Sequence, residues 1–113
     1  MLQIMPTNLN KKQSSSTKVC ISKLKVLSDK SRFQILQLLS KKSMNATEIL
    51  GLLTISQTLL SHHLRILKTS GLIEGEKKGQ FIIYKLSSKN KPPKAANTLN
   101  LGCCEIKFNA DLF

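Results

Sequence analysis

Residues 45–70 read NATEILGLLTISQTLLSHHLRILKTS and carry two apolar stripes with helical spacing. Over residues 46–53 the apolar side chains recur at i, i+3, i+4 and i+7, which predicts a one-sided helix of about two turns. The second stripe joins Leu60, Leu64 and Leu67. Two short helices with a tight connection between them predict a helix-turn-helix.

Local signals at the helix ends support these boundaries. Asn45 and Glu48 have the spacing of a capping box, so the first helix is expected to begin after Asn45. Ser56 is a favourable N-cap for the second helix, and Gly71 follows its end.

Two further helices precede residues 45–70. Cys20, Leu24 and Leu27 lie at i, i+4 and i+7, so a helix from residue 17 turns Cys20 toward packed surface. Ser28-Asp29 offers the N-cap of the next helix, which is expected to end at Lys41-Lys42.

After Gly71 the apolar period falls to two. Residues 72–77 and 81–86 alternate on either side of Lys78-Gly79, which predicts a β-hairpin with a basic tip. A hairpin directly after a helix-turn-helix is a wing. The expected fold is therefore mainly α with a small β-hairpin (α+β), a winged helix-turn-helix.

The sequence divides into three parts. Residues 1–16 predict a disordered basic N-terminal arm, residues 17–88 the winged helix-turn-helix domain, and residues 89–113 a linker and a Cys-containing tail. In the tail, we expect one helical turn from Ala95 and a short strand that ends near Phe108.

The charge and composition of the chain limit the classes of function that it can have. Its 113 residues include 18 Lys+Arg and 6 Asp+Glu, a net charge of +12 that favours a nucleic acid partner. Enzymatic function is disfavoured because the sequence has no glycine-rich phosphate loop and no His-x-x-x-His pair. RNA binding is disfavoured because aromatic residues do not interleave with the basic ones. No apolar run approaches the roughly 18 residues of a spanning helix, so we expect a cytoplasmic protein with no membrane partner.

The face opposite the apolar stripe of residues 56–70 is polar, and it contains no acidic residue. Side chains of this kind read base edges in a major groove, and lysines at a wing tip reach phosphates. The predicted contacts with double-stranded DNA are Gln57, Thr58, Ser61, His62, Arg65, Lys68, Lys77 and Lys78. His63 lies beside the apolar stripe and is expected to be a hydrogen-bonded packing residue.

Two motifs carry a family resemblance. Residues 24–39 match L-x-x-L-x-D-x-x-R-x-x-I-L-x-x-L, and residues 56–64 match S-Q-x-x-x-S-x-H-L. With these motifs, residues 18–86 resemble the ArsR/SmtB family of winged-helix metal-sensing repressors. The resemblance implies a homodimer in which helices near the two termini pair, recognition helices that enter successive major grooves of an operator, and an inducer that lowers operator affinity.

The chain departs from the inducer sites that the resemblance implies. Residues 45–49 lack the Cys-x-Cys pair of metalloid-binding members. The tail has no histidine, and its carboxylates are Glu105 and Asp111, so the site of zinc and nickel sensors is missing as well. The C-terminal helix that forms the dimer is expected to be short or replaced.

Cys20, Cys103 and Cys104 are the candidate metal ligands. An odd cysteine count in a reducing compartment predicts thiols rather than a disulfide framework. Trivalent arsenic takes three thiolates, whereas one subunit cannot complete a four-ligand zinc site. The three cysteines therefore favour As(III) or Sb(III) as the inducer. The resemblance implies that the N-terminal helix and the C-terminal segment lie together, which would bring Cys20 to the tail pair.

Two alternatives stay open. Pairing of Cys20 with one tail cysteine would make a thiol redox or persulfide sensor of the same fold. Cys20 taken alone is more often a small core residue than a ligand, and a winged-helix regulator with no ligand is the other alternative.

Overall fold

The computed structural model describes residues 17–88 and 98–108. Residues 17–27 form helix α1. Three helices and five strands follow: α2 (Lys30–Lys41), β1 (Met44–Asn45), α3 (Ala46–Leu52), α4 (Gln57–Thr69), β2 (Ile73–Lys78), β3 (Phe81–Leu86), β4 (Thr98–Asn100) and β5 (Glu105–Lys107). The helix-turn-helix is α3 and α4, and the wing is β2 and β3. The predicted arm and the predicted linker from residue 89 lie outside the described residues.

The predicted helix starts are confirmed by their caps. The side chain of Asp29 accepts from the backbone N–H of Arg32 at 3.0 Å. Asn45 and Glu48 form a reciprocal capping box, with distances of 2.8 and 2.9 Å. The Ser56 side chain accepts from a backbone N–H of the first turn of α4. Each cap satisfies an amide that the helix itself leaves unpaired.

The wing belongs to a three-stranded antiparallel sheet with the order β1-β3-β2. In the hairpin, Lys78 pairs with Phe81, and Gly79 supplies the positive φ of 65° that the turn requires. The sequence did not predict β1, which places Met44 opposite Tyr84. Two residues are too few to show an alternating pattern.

The tail folds as a second, two-stranded sheet. Strand β5 confirms the short strand predicted before Phe108, whereas β4 was not predicted. The expected helical turn is wrong for residues 98–100, and Ala95 lies outside the described residues. Leu99, Leu101 and Phe108 are buried in the same core as the helices. Burial of these side chains favours docked strands, and within residues 98–108 the tail packs on the core as strands rather than as a helix.

One apolar core joins the helices to both sheets. It includes side chains from α2, α3, α4 and the tail, and Ile35, Ile49, Leu60, Leu67 and Leu99 are almost fully inaccessible. Within the described residues, no helix is both long and apolar enough to cross a bilayer.

Candidate functional site

Helix α4 separates a packed face from a polar face, as its sequence predicted. Leu60, Leu64 and Leu67 are buried in the core. The eight predicted DNA contacts are all solvent-exposed: Gln57, Thr58, Ser61, His62, Arg65, Lys68, Lys77 and Lys78. The first six lie on α4 and the two lysines lie at the wing tip. The predicted contacts are therefore accessible to a large partner.

The polar face of α4 suits an anionic partner. The helix carries Arg65 and Lys68 and no acidic residue. Its first turn, which begins at Gln57, presents backbone N–H groups and the positive end of the helix dipole. Leu59 is exposed beside this face, with 41% of its surface accessible. An apolar side chain at this point can contact a thymine methyl group.

The two wing lysines point to opposite faces of the hairpin, because neighbouring residues of a strand alternate. Lys78 lies 3.8 Å from the carboxylate of Glu76, with both side chains well exposed. Sequence reasoning missed this carboxylate, although the i, i+2 spacing of Glu76 and Lys78 in a strand is a usable signal. Lys78 is therefore held in an ion pair, whereas no ion pair within the described residues holds Lys77.

A second carboxylate closes the base of the wing. Glu74 accepts from the backbone N–H of Ser88 at 3.1 Å and from the hydroxyl of Ser87 at 3.2 Å. The backbone N–H of Ser88 is the main cause of the lowered pKa of Glu74. This carboxylate is therefore anchored within the fold.

His63 is the buried histidine of α4, and it confirms the prediction of a hydrogen-bonded packing residue. The residue is 5% exposed, with Nδ1 3.4 Å from the guanidinium of Arg32 and Nε2 3.7 Å from the carboxylate of Asp29. Burial lowers the pKa of His63, and the attraction of Asp29 opposes that effect. The backbone N–H of Arg32 is the main cause of the lowered pKa of Asp29.

The three cysteines meet where α1 contacts the tail. Cys20 and Cys103 form a disulfide, with their Cα atoms 6.1 Å apart. The expectation that all three cysteines are thiols is therefore wrong for this pair. The sequence left the pairing of Cys20 with one tail cysteine open as the redox alternative, and only the docked tail brings two residues 83 positions apart within disulfide range.

Cys104 completes the cysteine cluster, which is Cys20, Cys103 and Cys104. Its exposed thiol has Sγ 3.9 Å from Sγ of Cys20 and 4.0 Å from Sγ of Cys103. All three sulfur atoms lie within 4.8 Å of one another. Beside the cluster, Lys23 of α1 donates to the backbone carbonyl of Leu101 at 3.3 Å. The sulfurs can therefore form a disulfide with a third thiol beside it, or, when reduced, three converging thiolates.

Comparison with known proteins identifies the family. The model of the bacterial regulatory protein, arsR family, matches residues 29–75. The arsenical resistance operon repressor of Staphylococcus xylosus is 38% identical over 85 residues, which cover 71% of this chain and 82% of the relative. The chain belongs to the ArsR family. It is a DNA-binding transcriptional regulator rather than an enzyme.

Solved structures of ArsR-like regulators share the fold. Reduced HlyU from Vibrio cholerae N16961 superposes with a TM-score of 0.65 at 31% identity, and the match covers 69% of this chain and 82% of that one. The homodimeric winged helix-turn-helix DNA-binding domain of Mb0332 from Mycobacterium bovis gives a TM-score of 0.61 at 25% identity, covering 68% and 71%. These likenesses confirm the predicted winged helix-turn-helix of this ArsR-family chain.

Proposed function

We propose that this ArsR-family protein is a repressor that leaves its operator when As(III) or Sb(III) binds Cys20, Cys103 and Cys104. The observation that carries the proposal is the convergence of three sulfur atoms within 4.8 Å. The similarity to an arsenical resistance operon repressor gives independent support.

The chemistry of trivalent arsenic suits this donor set. Three thiols and one As(OH)₃ give one As(SR)₃ unit and three water molecules. Two molecules of an external thiol must first reduce the Cys20–Cys103 disulfide to two thiols, and they are themselves joined in a disulfide. Zn²⁺ prefers four ligands in a tetrahedron. Within residues 17–88 and 98–108, the cluster comprises three cysteines and no histidine or carboxylate. One subunit therefore favours a three-coordinate thiophilic ion.

The DNA half of the proposal uses α4 and the wing. Gln57, Ser61, His62 and Arg65 read bases, while the exposed lysines of α4 and the wing bind phosphates. Two copies bind a palindromic site in the cytoplasm, with their recognition helices in successive major grooves. The homodimeric winged-helix domain of Mb0332 supports the two-copy arrangement.

A second candidate is thiol redox sensing by the same cluster. The disulfide between Cys20 and Cys103 favours it, and the likeness to a structure described as reduced HlyU gives further support. One peroxide oxidises the two thiols to a disulfide and is itself reduced to two water molecules. In this case Cys104 remains a thiol, and no ion is required.

DNA affinity in three states of the wild-type protein tests the proposal. An operator-like duplex is first selected from random sequence with the fully reduced protein. The Kd for this duplex is then measured by fluorescence anisotropy for the reduced protein, the reduced protein with sodium arsenite, and the protein oxidised by hydrogen peroxide.

The two candidates predict different results. Arsenite sensing predicts a Kd that rises roughly 5–150-fold with one arsenic bound per subunit, the usual size of such coupling. Redox sensing predicts that the same rise occurs on oxidation and not with arsenite. A Kd that is equal in all three states contradicts both candidates and favours a regulator with no ligand.

A further inference from the structure

Arg32 of α2 makes side-chain hydrogen bonds to two other helices. Its Nε donates to the backbone carbonyl of Val26 in α1 at 2.8 Å. Its Nη1 lies 3.4 Å from Nδ1 of His63 in α4. Arg32 thus links the helix that carries Cys20 to the helix that carries the predicted base contacts.

The partners of His63 define its tautomer. A guanidinium has no acceptor, so Nδ1 of the neutral ring accepts from Arg32 and the ring proton lies on Nε2. Nε2 lies 3.7 Å from Oδ2 of Asp29, and the same oxygen accepts from the backbone N–H of Arg32. The imidazole is therefore held from both sides by the first turn of α2.

The contact with α1 lies close to the cysteine cluster in the chain. The carbonyl of Val26 is one of the last four of α1, which lack partners within the helix. Cys20 is six residues earlier in the same helix, so a force on its sulfur reaches this end of α1 through continuous helical backbone.

We propose that Arg32 is a positioning residue that transmits the state of the cysteine cluster to α4. The proposal rests on the proposed control of DNA affinity by that cluster. We call the cluster closed when arsenic or a disulfide joins its sulfurs, and open when all three are thiols. Closure fixes the tail against α1 and shifts the Val26 carbonyl relative to α2. The guanidinium is planar and rigid, so Nε cannot follow this shift without moving Nη1. His63, and α4 with it, must then change position.

A purely structural role makes a different prediction. If Arg32 only stabilises the fold, its replacement lowers the free energy of unfolding equally in the open and closed states of the cluster. If it transmits the state, its replacement lowers the ratio of the two DNA affinities. This ratio, the Kd of the closed protein divided by that of the reduced protein, is the coupling factor.

The test compares coupling factors of full-length variants on the selected duplex. Closure is achieved with sodium arsenite in one series and with hydrogen peroxide in the other. Arg32→Met removes both bonds, and Arg32→Lys keeps the charge but has no fork to hold both partners. Lys30→Met removes one positive charge from an exposed position of the same helix turn and is the matched control.

We expect both Arg32 variants to lower the coupling factor at least about fivefold, out of the roughly 5–150-fold usual for such coupling. Lys30→Met should keep the wild-type value. Bound arsenic and disulfide content, measured separately, should be unchanged in all variants. Cooperative unfolding in urea shows that each variant is folded. If Arg32→Met does not fold, the coupling factor of Arg32→Lys decides the outcome.

Three results overturn the inference. The first is a wild-type coupling factor in Arg32→Lys or in a folded Arg32→Met, and the second is an equal loss in Lys30→Met, which assigns the effect to charge. The third is a wild-type Kd that changes in neither closed state. It contradicts the proposed function itself and is distinguished from the first two by the wild-type data alone.

Discussion

The ring of Phe108 in the tail meets the ring of Phe33 in α2 edge to face, with the centroids 5.2 Å apart. This contact, together with the burial of Leu99 and Leu101, docks the tail on the helical core. Cys103 and Cys104 lie between these anchors in the chain. The geometry of the cysteine cluster therefore depends on apolar packing as well as on sulfur chemistry.

Removing the aromatic anchor should open the cluster. Phe108→Ala is expected to lower the free energy of unfolding of the reduced protein by about 3 kcal/mol, because Phe108 is 4% exposed and leaves a cavity. Urea unfolding measures the loss, and thiol titration after peroxide measures the disulfide, which should form more slowly. Lys107→Ala, at an exposed neighbour, is the control. Unchanged stability in Phe108→Ala would show that the tail is not docked through this ring.

The α4 face and the wing should differ in how they contribute to DNA binding. Arg65→Ala is expected to weaken binding to the selected duplex by about 1–3 kcal/mol and to relax sequence preference. Lys78→Ala should weaken binding to all duplexes alike and reduce the salt slope by about one unit. Anisotropy titrations at several salt concentrations, on selected and scrambled duplexes, separate the two effects. Identical salt slopes and specificity profiles for both variants would contradict the assignment.

The ion pair at the wing gives a prediction of opposite sign. Glu76 lies 3.8 Å from Lys78, and if Lys78 binds phosphate as proposed, Glu76 competes with that phosphate. Glu76→Gln should therefore strengthen binding to selected and scrambled duplexes alike, by less than about 1 kcal/mol, as expected for an exposed pair. Glu48→Gln alters the carboxylate that accepts from the backbone N–H of Asn45 in the α3 cap, distant in sequence from the wing. It tests whether loss of any acidic group has the same effect. An equal gain in both variants would remove the specific role of Glu76.

The exposed apolar residues of α1 should form a dimer contact. Val19, Ile21 and Leu24 are 53%, 47% and 42% exposed, and the family resemblance implies pairing of terminal helices. We expect a dimer at micromolar concentration by sedimentation equilibrium. Ile21→Glu should shift it toward monomer, whereas Ser22→Glu at the adjacent exposed position should not. A wild-type protein that sediments as a monomer with and without DNA would refute the dimer.

Stability should fall as the pH drops from 7 to 5. The pKa of His63 is below its ordinary 6.5 in the folded protein, chiefly because of burial, so the unfolded chain binds the proton first. The loss of stability begins as the pH falls through the pKa of His63 in the unfolded chain, and it ends below its pKa in the folded protein. At lower pH, the lowered pKa of Asp29 adds a further loss as that carboxylate is protonated.

Substitution at the two adjacent histidines tests the pH prediction. In His63→Gln, an amide oxygen can still accept from Arg32, but the side chain does not titrate. Urea unfolding at several pH values should show a flatter profile for this variant than for wild type. His62→Gln, at an exposed neighbour, should keep the wild-type profile. A flatter profile in His62→Gln alone would contradict the prediction that His63 causes the pH dependence of stability.

The sequence predicted the helical part of the fold well, because the signals that specify it are local. Asp29, Asn45 and Ser56 are recognisable as caps, and the spacing of Leu60 and Leu64 defines the packed face of α4. The spacing of these leucines also predicted which face of α4 is exposed. Its assignment to base and phosphate contacts stays a prediction.

The features that the sequence did not predict depend on contacts between distant residues. Strand β1 exists only because β3 pairs with it. The Cys20–Cys103 disulfide, which the sequence offered only as an alternative to free thiols, requires docking of the tail on the core. The bond of Arg32 to His63 crosses 31 positions, although the motifs that contain both residues were recognised.

The most direct test of arsenite sensing by the cysteine cluster is the release of the selected duplex by arsenite in cysteine variants of the reduced protein. Anisotropy of the selected duplex is followed as arsenite is added to wild type, Cys20→Ser, and the double variant Cys103→Ser/Cys104→Ser. We expect arsenite to release the duplex from wild type, but not from the double variant or from Cys20→Ser, with duplex affinity before arsenite unchanged. Release from the double variant at the wild-type arsenite concentration would contradict this expectation.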